Sequence, residues 1–187
     1  MLDLAILYYS GSGHTEKLAQ LIADGTESVA NVQPTLVHVG RQETLDWPFL
    51  ERAAGVVFGS PTYMGSIAAD MKAVMDQTGG DFWVEQRWAD KIAAGFTVAT
   101  YPSGDKLVTL TQLAVFAAQH GMIWVGQNRI GSRAKKDGLG INDAGAWLGL
   151  MATSSPDKTR LIGDEDAETA RLFGRRVAEA TVRWHGG

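Results

Sequence analysis

Leu4-Ala5-Ile6-Leu7-Tyr8 runs directly into Tyr9-Ser10-Gly11-Ser12-Gly13-His14-Thr15, and an amphipathic helical pattern continues to about Val29. The order is strand, turn, helix. Five successive apolar residues suit a strand covered on both faces. Gly11 and Gly13 permit a tight turn whose backbone N–H groups come close to an anion, and the helix behind them adds the positive end of its dipole. Ser10, Ser12 and Thr15 bring three hydroxyls to the same point, His14 offers its backbone N–H rather than its imidazole, and no Lys or Arg precedes Lys17. The spacing predicts a phosphate cradle of neutral donors.

That neutrality separates three loops of similar outline. A nucleotide triphosphate loop ends in Gly-Lys-Ser/Thr, where this chain has Gly13-His14-Thr15, so the lysine that meets the outer phosphates is missing. A dinucleotide fingerprint needs a third Gly where Glu16 stands, and an acid after the second strand, where the chain reads His38-Val39-Gly40. The remaining fit is a phosphate monoester such as the tail of FMN.

From this loop outward the chain alternates apolar runs with helical patterns, as parallel β/α units do. Strands are expected at Pro34 to Val39, Ala53 to Gly59, Ile92 to Ala99 and Met122 to Val125. Helices are expected from about Ile67, from about Lys106 to Gln119, and at the C-terminus, with Ala170, Phe173, Val177, Thr181 and Trp184 facing inward. Five strands in this rhythm make an α/β three-layer open sandwich, a five-stranded parallel sheet in the flavodoxin-like order 2-1-3-4-5. Ligands of such sheets bind beyond the carboxyl ends of the strands. Strands one, three and four all end in turn-rich loops: Ser10 to Thr15, Ser60-Pro61-Thr62-Tyr63-Met64-Gly65-Ser66, and Thr100-Tyr101-Pro102-Ser103-Gly104-Asp105. In that order the three loops converge on one crevice.

A chain of 187 residues with 45% hydrophobic and 20% charged residues is expected to form a single domain, interrupted by an irregular excursion from about Gly126 to Gly163 that is too long for a bare connection. A net charge of −4 gives no basic footprint for nucleic acid. The absence of cysteine excludes disulfides, thiol catalysis and Cys-ligated metals, and His38 and His185 show no metal-ligand pattern. The opening Met1-Leu2-Asp3 lacks a basic leader, and no apolar run is long enough to span a membrane, so a cytoplasmic protein without integral membrane association is expected.

Ser10-Gly11-Ser12-Gly13-His14-Thr15, Pro61-Thr62-Tyr63-Met64-Gly65-Ser66, Asp76-Gln77-Thr78-Gly79-Gly80 and His120-Gly121-Met122-Ile123 resemble, in order and approximate spacing, successive motifs of the WrbA-type NAD(P)H:quinone oxidoreductases, flavodoxin-like proteins that bind FMN. The resemblance implies that the first loop holds the FMN phosphate and that the Pro61 to Ser66 loop lies along the isoalloxazine. It also implies that Thr100 to Gly104 supply backbone N–H groups near the flavin N1–C2 edge, and that His120 lines the space above the ring. His120, alternatively, interacts with the C-terminus of its own helix.

Two departures stand out. Tyr63-Met64 replaces the family's Arg-aromatic pair, and Tyr101 to Asp105 replaces its run of glycines. A nicotinamide pyrophosphate would lose a partner at the first and meet a like charge at the second. Arg129, Arg133, Lys135 and Lys136 in the excursion either compensate or form a solvated basic loop. The expected activity is two-electron, ping-pong transfer from NAD(P)H as co-substrate, through FMN, to a quinone-like acceptor, with His120 and Tyr63 as candidate catalytic residues. The alternative is a flavodoxin-type single-electron carrier. Phe82, Trp83 and Trp88 cap the flavin, line a subunit contact or fill the core, and Trp83, Trp88, Trp124 and Trp147 together suggest a homodimer or homotetramer.

Overall fold

The computed structural model describes residues 1–40, 44–157 and 159–186. In chain order these form β1 Leu2–Tyr8, α1 His14–Glu27, β2 Val32–His38, α2 Trp47–Arg52, β3 Gly55–Tyr63, β4 Ser66–Ile67 and α3 Ala69–Gln77, then α4 Asp81–Val84, β5 Ile92–Ala99, α5 Lys106–Gln119, β6 Ile123–Trp124, α6 Ser132–Lys135, β7 Leu150–Thr153 and α7 Asp164–His185. Period-two alternation along β1 sends Leu4, Ile6 and Tyr8 into a core shared with α1 and α7, and Ala5 and Leu7 into a second core shared with α3 and α5. Helices therefore cover both faces.

The central strands run parallel in the order β2-β1-β3-β5-β6, which is the expected 2-1-3-4-5 order of the five runs read from the sequence. Two strands are additional. β4 turns back on β3 as an antiparallel hairpin, with Tyr63 opposite Ser66. Its two-residue turn places Met64 at φ 48° and Gly65 at φ 75°, the paired positive values that a tight hairpin turn requires. The expected helix after this loop accordingly begins at Ala69, because Ile67 belongs to the hairpin.

β7 pairs with β5 immediately beyond β6: Ile92 and Ala93 face Ile123 and Trp124, and Phe96 to Ala99 face Leu150 to Thr153. The fifth strand is thus one edge strand in two pieces, with residues 126–149 looped out between them. The ends of the loop are stitched by a bond from the Gln127 N–H to the Trp147 carbonyl at 2.9 Å. Half of the edge strand therefore comes from inside the stretch expected to be irregular.

α5 ends in a Schellman arrangement, Gly121 at φ 64° with the Met122 N–H on the Ala117 carbonyl at 3.0 Å. On α7, Ala170, Phe173, Val177 and Thr181 are buried as expected, but Trp184 is 50% exposed, because the core beneath the helix ends at Val182. α2 carries no strong periodic signal; Asp46 starts it by accepting the Phe49 N–H at 2.9 Å.

Candidate functional site

At the carboxyl ends of the strands lies a crevice of about 560 Å³, lined by Gly11, Ser12, His14, Thr15, Pro61, Thr62, Tyr63, Val98, Ala99, Thr100 and Thr153 to Pro156. The first loop is shaped by Ser10, whose Oγ accepts the backbone N–H groups of Gly13 at 3.1 Å and Glu16 at 3.2 Å. This cap folds the loop over the start of α1. Gly13 stands at φ 85°, left-handed, which a side chain resists. At Gly11 a Cβ would lie 2.5 Å from the Tyr63 hydroxyl, the end of a side chain that reaches across the crevice and would have to swing aside.

The second loop is equally braced. Thr62 Oγ1 lies 2.8 Å from Thr97 Oγ1 and 2.7 Å from Thr109 Oγ1, joining β3, β5 and α5. Ser60 Oγ accepts the Ala68 N–H at 2.9 Å, and Ser66 Oγ donates to Gln112 Oε1 at 3.0 Å. Met64, fully exposed, rides on the hairpin tip. Of the third loop, Thr100 lines the crevice, whereas Tyr101, Pro102, Ser103 and Gly104 extend past its rim, with Tyr101 74% exposed.

His120 stands elsewhere. The residue is 2% exposed, its ring edge-on to Phe82, Trp88 and Phe116, with Nε2 2.9 Å from Thr78 Oγ1 and Nδ1 without a partner among the described residues. It borders a separate hollow of about 580 Å³ between α3 and α5, alongside Thr78, Trp83, Gln112, Val115 and Phe116. Burial pushes its imidazole below the ordinary value, so it stays neutral near pH 7. Within one chain the two hollows share no lining residue. Trp88 is core, donating to the Leu50 carbonyl at 3.1 Å, while Trp83 is 47% exposed and donates to the Gln119 carbonyl at 2.9 Å.

A third hollow, about 750 Å³, adjoins the crevice across Thr153 to Pro156 and is edged by Arg133 and Lys136. Arg133 is paired with Asp143 at 3.0 Å on the surface. The Thr153 to Pro156 wall was not read from the sequence as part of the site, although Leu150-Met151-Ala152 followed by Thr-Ser-Ser-Pro repeats the strand-then-turn grammar of the other loops. Lys106 was missed as well. It lies 1% exposed behind that wall, with Nζ 3.0 Å from the Ala152 carbonyl and 3.1 Å from Thr153 Oγ1.

The donors and the left-handed Gly13 fit a phosphate monoester at one end of the crevice. The braced Pro61 to Tyr63 segment and Thr100 leave room for a flat ring at the other, within the range of small-molecule pockets. Comparison with known proteins agrees. The sequence model of the NADPH-dependent FMN reductase family matches residues 4–136. The chain is 34% identical to flavodoxin FldP of Pseudomonas aeruginosa, covering 99% of this chain and 100% of that protein. It is 30% identical to an NAD(P)H dehydrogenase (quinone) of Archaeoglobus fulgidus, covering 98% and 99%. Among solved structures, a WrbA-like flavodoxin from Agrobacterium tumefaciens superimposes with a TM-score of 0.76 at 32% identity, covering 98% and 99%.

Proposed function

The chain belongs to the NADPH-dependent FMN reductase family and is an FMN-dependent oxidoreductase, and we propose that it carries two electrons from NAD(P)H to a diffusible quinone-like acceptor in the cytoplasm. The observation that carries this reading is the crevice, whose first loop offers neutral donors at a helix N-terminus and whose other walls are left open to a flat ring. Bound FMN supplies the redox chemistry, accepting hydride and passing on two electrons. Ser10, Gly11, Ser12, Gly13, His14 and Thr15 hold its phosphate. Pro61, Thr62 and Tyr63 border the ring, with Met64, Gly65 and Ser66 on the hairpin beyond them, and Thr100 faces its N1–C2 edge with a backbone donor that stabilises negative charge there, while Tyr101 to Gly104 continue past the rim. Tyr63 spans the opening and shields the ring from water.

One opening must serve donor and acceptor in turn. NAD(P)H added anaerobically without acceptor is expected to bleach the flavin in a single two-electron stage, and steady-state double-reciprocal plots are expected to be parallel. Intersecting lines would overturn the shared opening. The full-length likeness to a protein named flavodoxin favours a second reading, a one-electron carrier. Failure of NAD(P)H to bleach the flavin, with reduction by a one-electron donor in two separate stages, would establish that reading instead.

The assembly proposed is a homodimer or homotetramer. Between Leu107 and Gln119 α5 carries no charged residue; Leu107, Val108 and Val115 are exposed along it, and Val115 lines the His120 hollow together with Trp83. An apolar stripe of this kind suits a subunit contact. That contact would bring His120 to a neighbour's crevice, the arrangement in which it could line the space above a flavin. Light scattering at micromolar concentration is expected to give a multiple of 20.1 kDa. A monomer that retains FMN and turnover would overturn it.

A further inference from the structure

Lys106 is a buried ammonium group that the proposed chemistry leaves unused. Its stem passes beneath the third loop, with Cγ 3.8 Å from where a Cβ on Gly104 would stand, and its Nζ is bonded to the Ala152 carbonyl and to Thr153 Oγ1. No carboxylate lies within ion-pair distance of it among the described residues. Asp166 approaches the same place from α7, its Oδ2 accepting the Thr153 N–H at 2.8 Å. Thr153, which lines the crevice, is therefore held by a cation on its side chain and an anion on its backbone.

A tie between α5 and β7 alone would need only a neutral donor, since burying an ammonium costs more than two neutral acceptors return. Burial lowers the Lys106 pKa and raises that of Asp166, and the attraction between the two opposes both shifts. Uptake of a hydride, two electrons and one proton, leaves the flavin ring with one negative charge. A fixed positive charge behind the crevice wall acts on that form and not on the neutral oxidised one.

We propose that Lys106 is a positioning residue whose buried positive charge, presented to the crevice through Thr153, favours reduced over oxidised FMN, with Asp166 setting the opposing balance. The inference rests on the crevice being the FMN site.

The test is the midpoint potential of FMN-loaded wild type, Lys106→Met, Lys106→Arg and Asp166→Asn at one pH, together with the affinity for oxidised FMN. Lys106→Met is expected to leave oxidised FMN within about threefold of wild type. It should weaken reduced FMN about tenfold, which lowers a two-electron potential by about 30 mV. Lys106→Arg should restore the potential. Asp166→Asn keeps an acceptor for the Thr153 N–H and removes the negative charge, so it should shift the potential upward. Equal weakening of both flavin states in Lys106→Met, or an unchanged potential in that variant, would reduce Lys106 to a structural tie and overturn the inference. If Lys106→Met does not fold, the sign of the Asp166→Asn shift decides alone. Flavin retention by Gly13→Val would instead fault the location of the FMN site, so the two failures are separable.

Discussion

Gly13→Val strips FMN from the protein, with an expected loss of at least about 100-fold in affinity, roughly 2.7 kcal/mol. Space is not the obstacle, since a Cβ on Gly13 would meet only the Leu161 side chain, at an ordinary 3.4 Å. The backbone is. At φ 85° a β-branched residue is strained by about 1–2 kcal/mol or more, and relief requires rotating φ to a negative value. That rotation swings the Gly13 N–H off Ser10 Oγ and unfolds the cap that aims the loop at the crevice. The phosphate then loses its donors along with their geometry. Gly13→Ala should lie between wild type and Val, because Ala tolerates positive φ better. Fluorescence titration with FMN, beside a thermal melt of the apo protein, checks both. Unchanged affinity in a folded Val variant, or a preference of wild type for FAD or ATP, would remove the loop from the site.

The first loop was legible because its grammar is local. Apolar run, glycines, hydroxyls and helix occur within a dozen residues, and each step has one physical reading. Sheet order followed from the same economy, since buried parallel strands announce themselves as unbroken apolar runs such as Val56-Val57-Phe58. The edge strand was only half read. Its second half, Leu150–Thr153, is defined by pairing with Phe96 to Ala99 and by no periodicity of its own, so a loop inserted in mid-strand disguised it. Lys106 illustrates the opposite failure. One lysine at the start of a helix reads as solvated, and only the approach of Thr153, 47 residues away, shows that it is enclosed. His120 was legible as a residue with an unusual setting, but its location depends on Thr78, Phe82, Trp88 and Phe116 closing around its ring from separate segments, which sequence spacing does not encode.

Gly174→Ala, in the middle of α7, tests what holds the phosphate helix in place, and two effects of opposite sign compete there. Helix propensity alone favours Ala over Gly by about 1 kcal/mol, so an isolated α7 would be stabilised. The contact with α1 reverses this. A Cβ on Gly174 would stand 2.1 Å from the Ile22 carbonyl oxygen, and a Cβ on Gly25 of α1 would stand 1.9 Å from the Arg171 carbonyl oxygen, so the helix backbones touch at two reciprocal points. Thr26 closes the crossing by donating to the Gly174 carbonyl at 3.4 Å. Neither obstacle is a side chain that can rotate away. The helices must separate, and Leu18, Ile22, Ala170, Phe173 and Val177 then lose contact at once. Overpacking against backbone costs about 3 kcal/mol or more, which exceeds the propensity gain. The net loss of roughly 2–3 kcal/mol should lower the melting temperature by about 5–10 °C. Because α1 carries the first loop at its N-terminus, FMN affinity should fall in the same variant although no ligand-facing residue has changed. A melting temperature equal to or above that of wild type would mean that α1 and α7 tolerate separation, and that the loop takes its position from β1 alone.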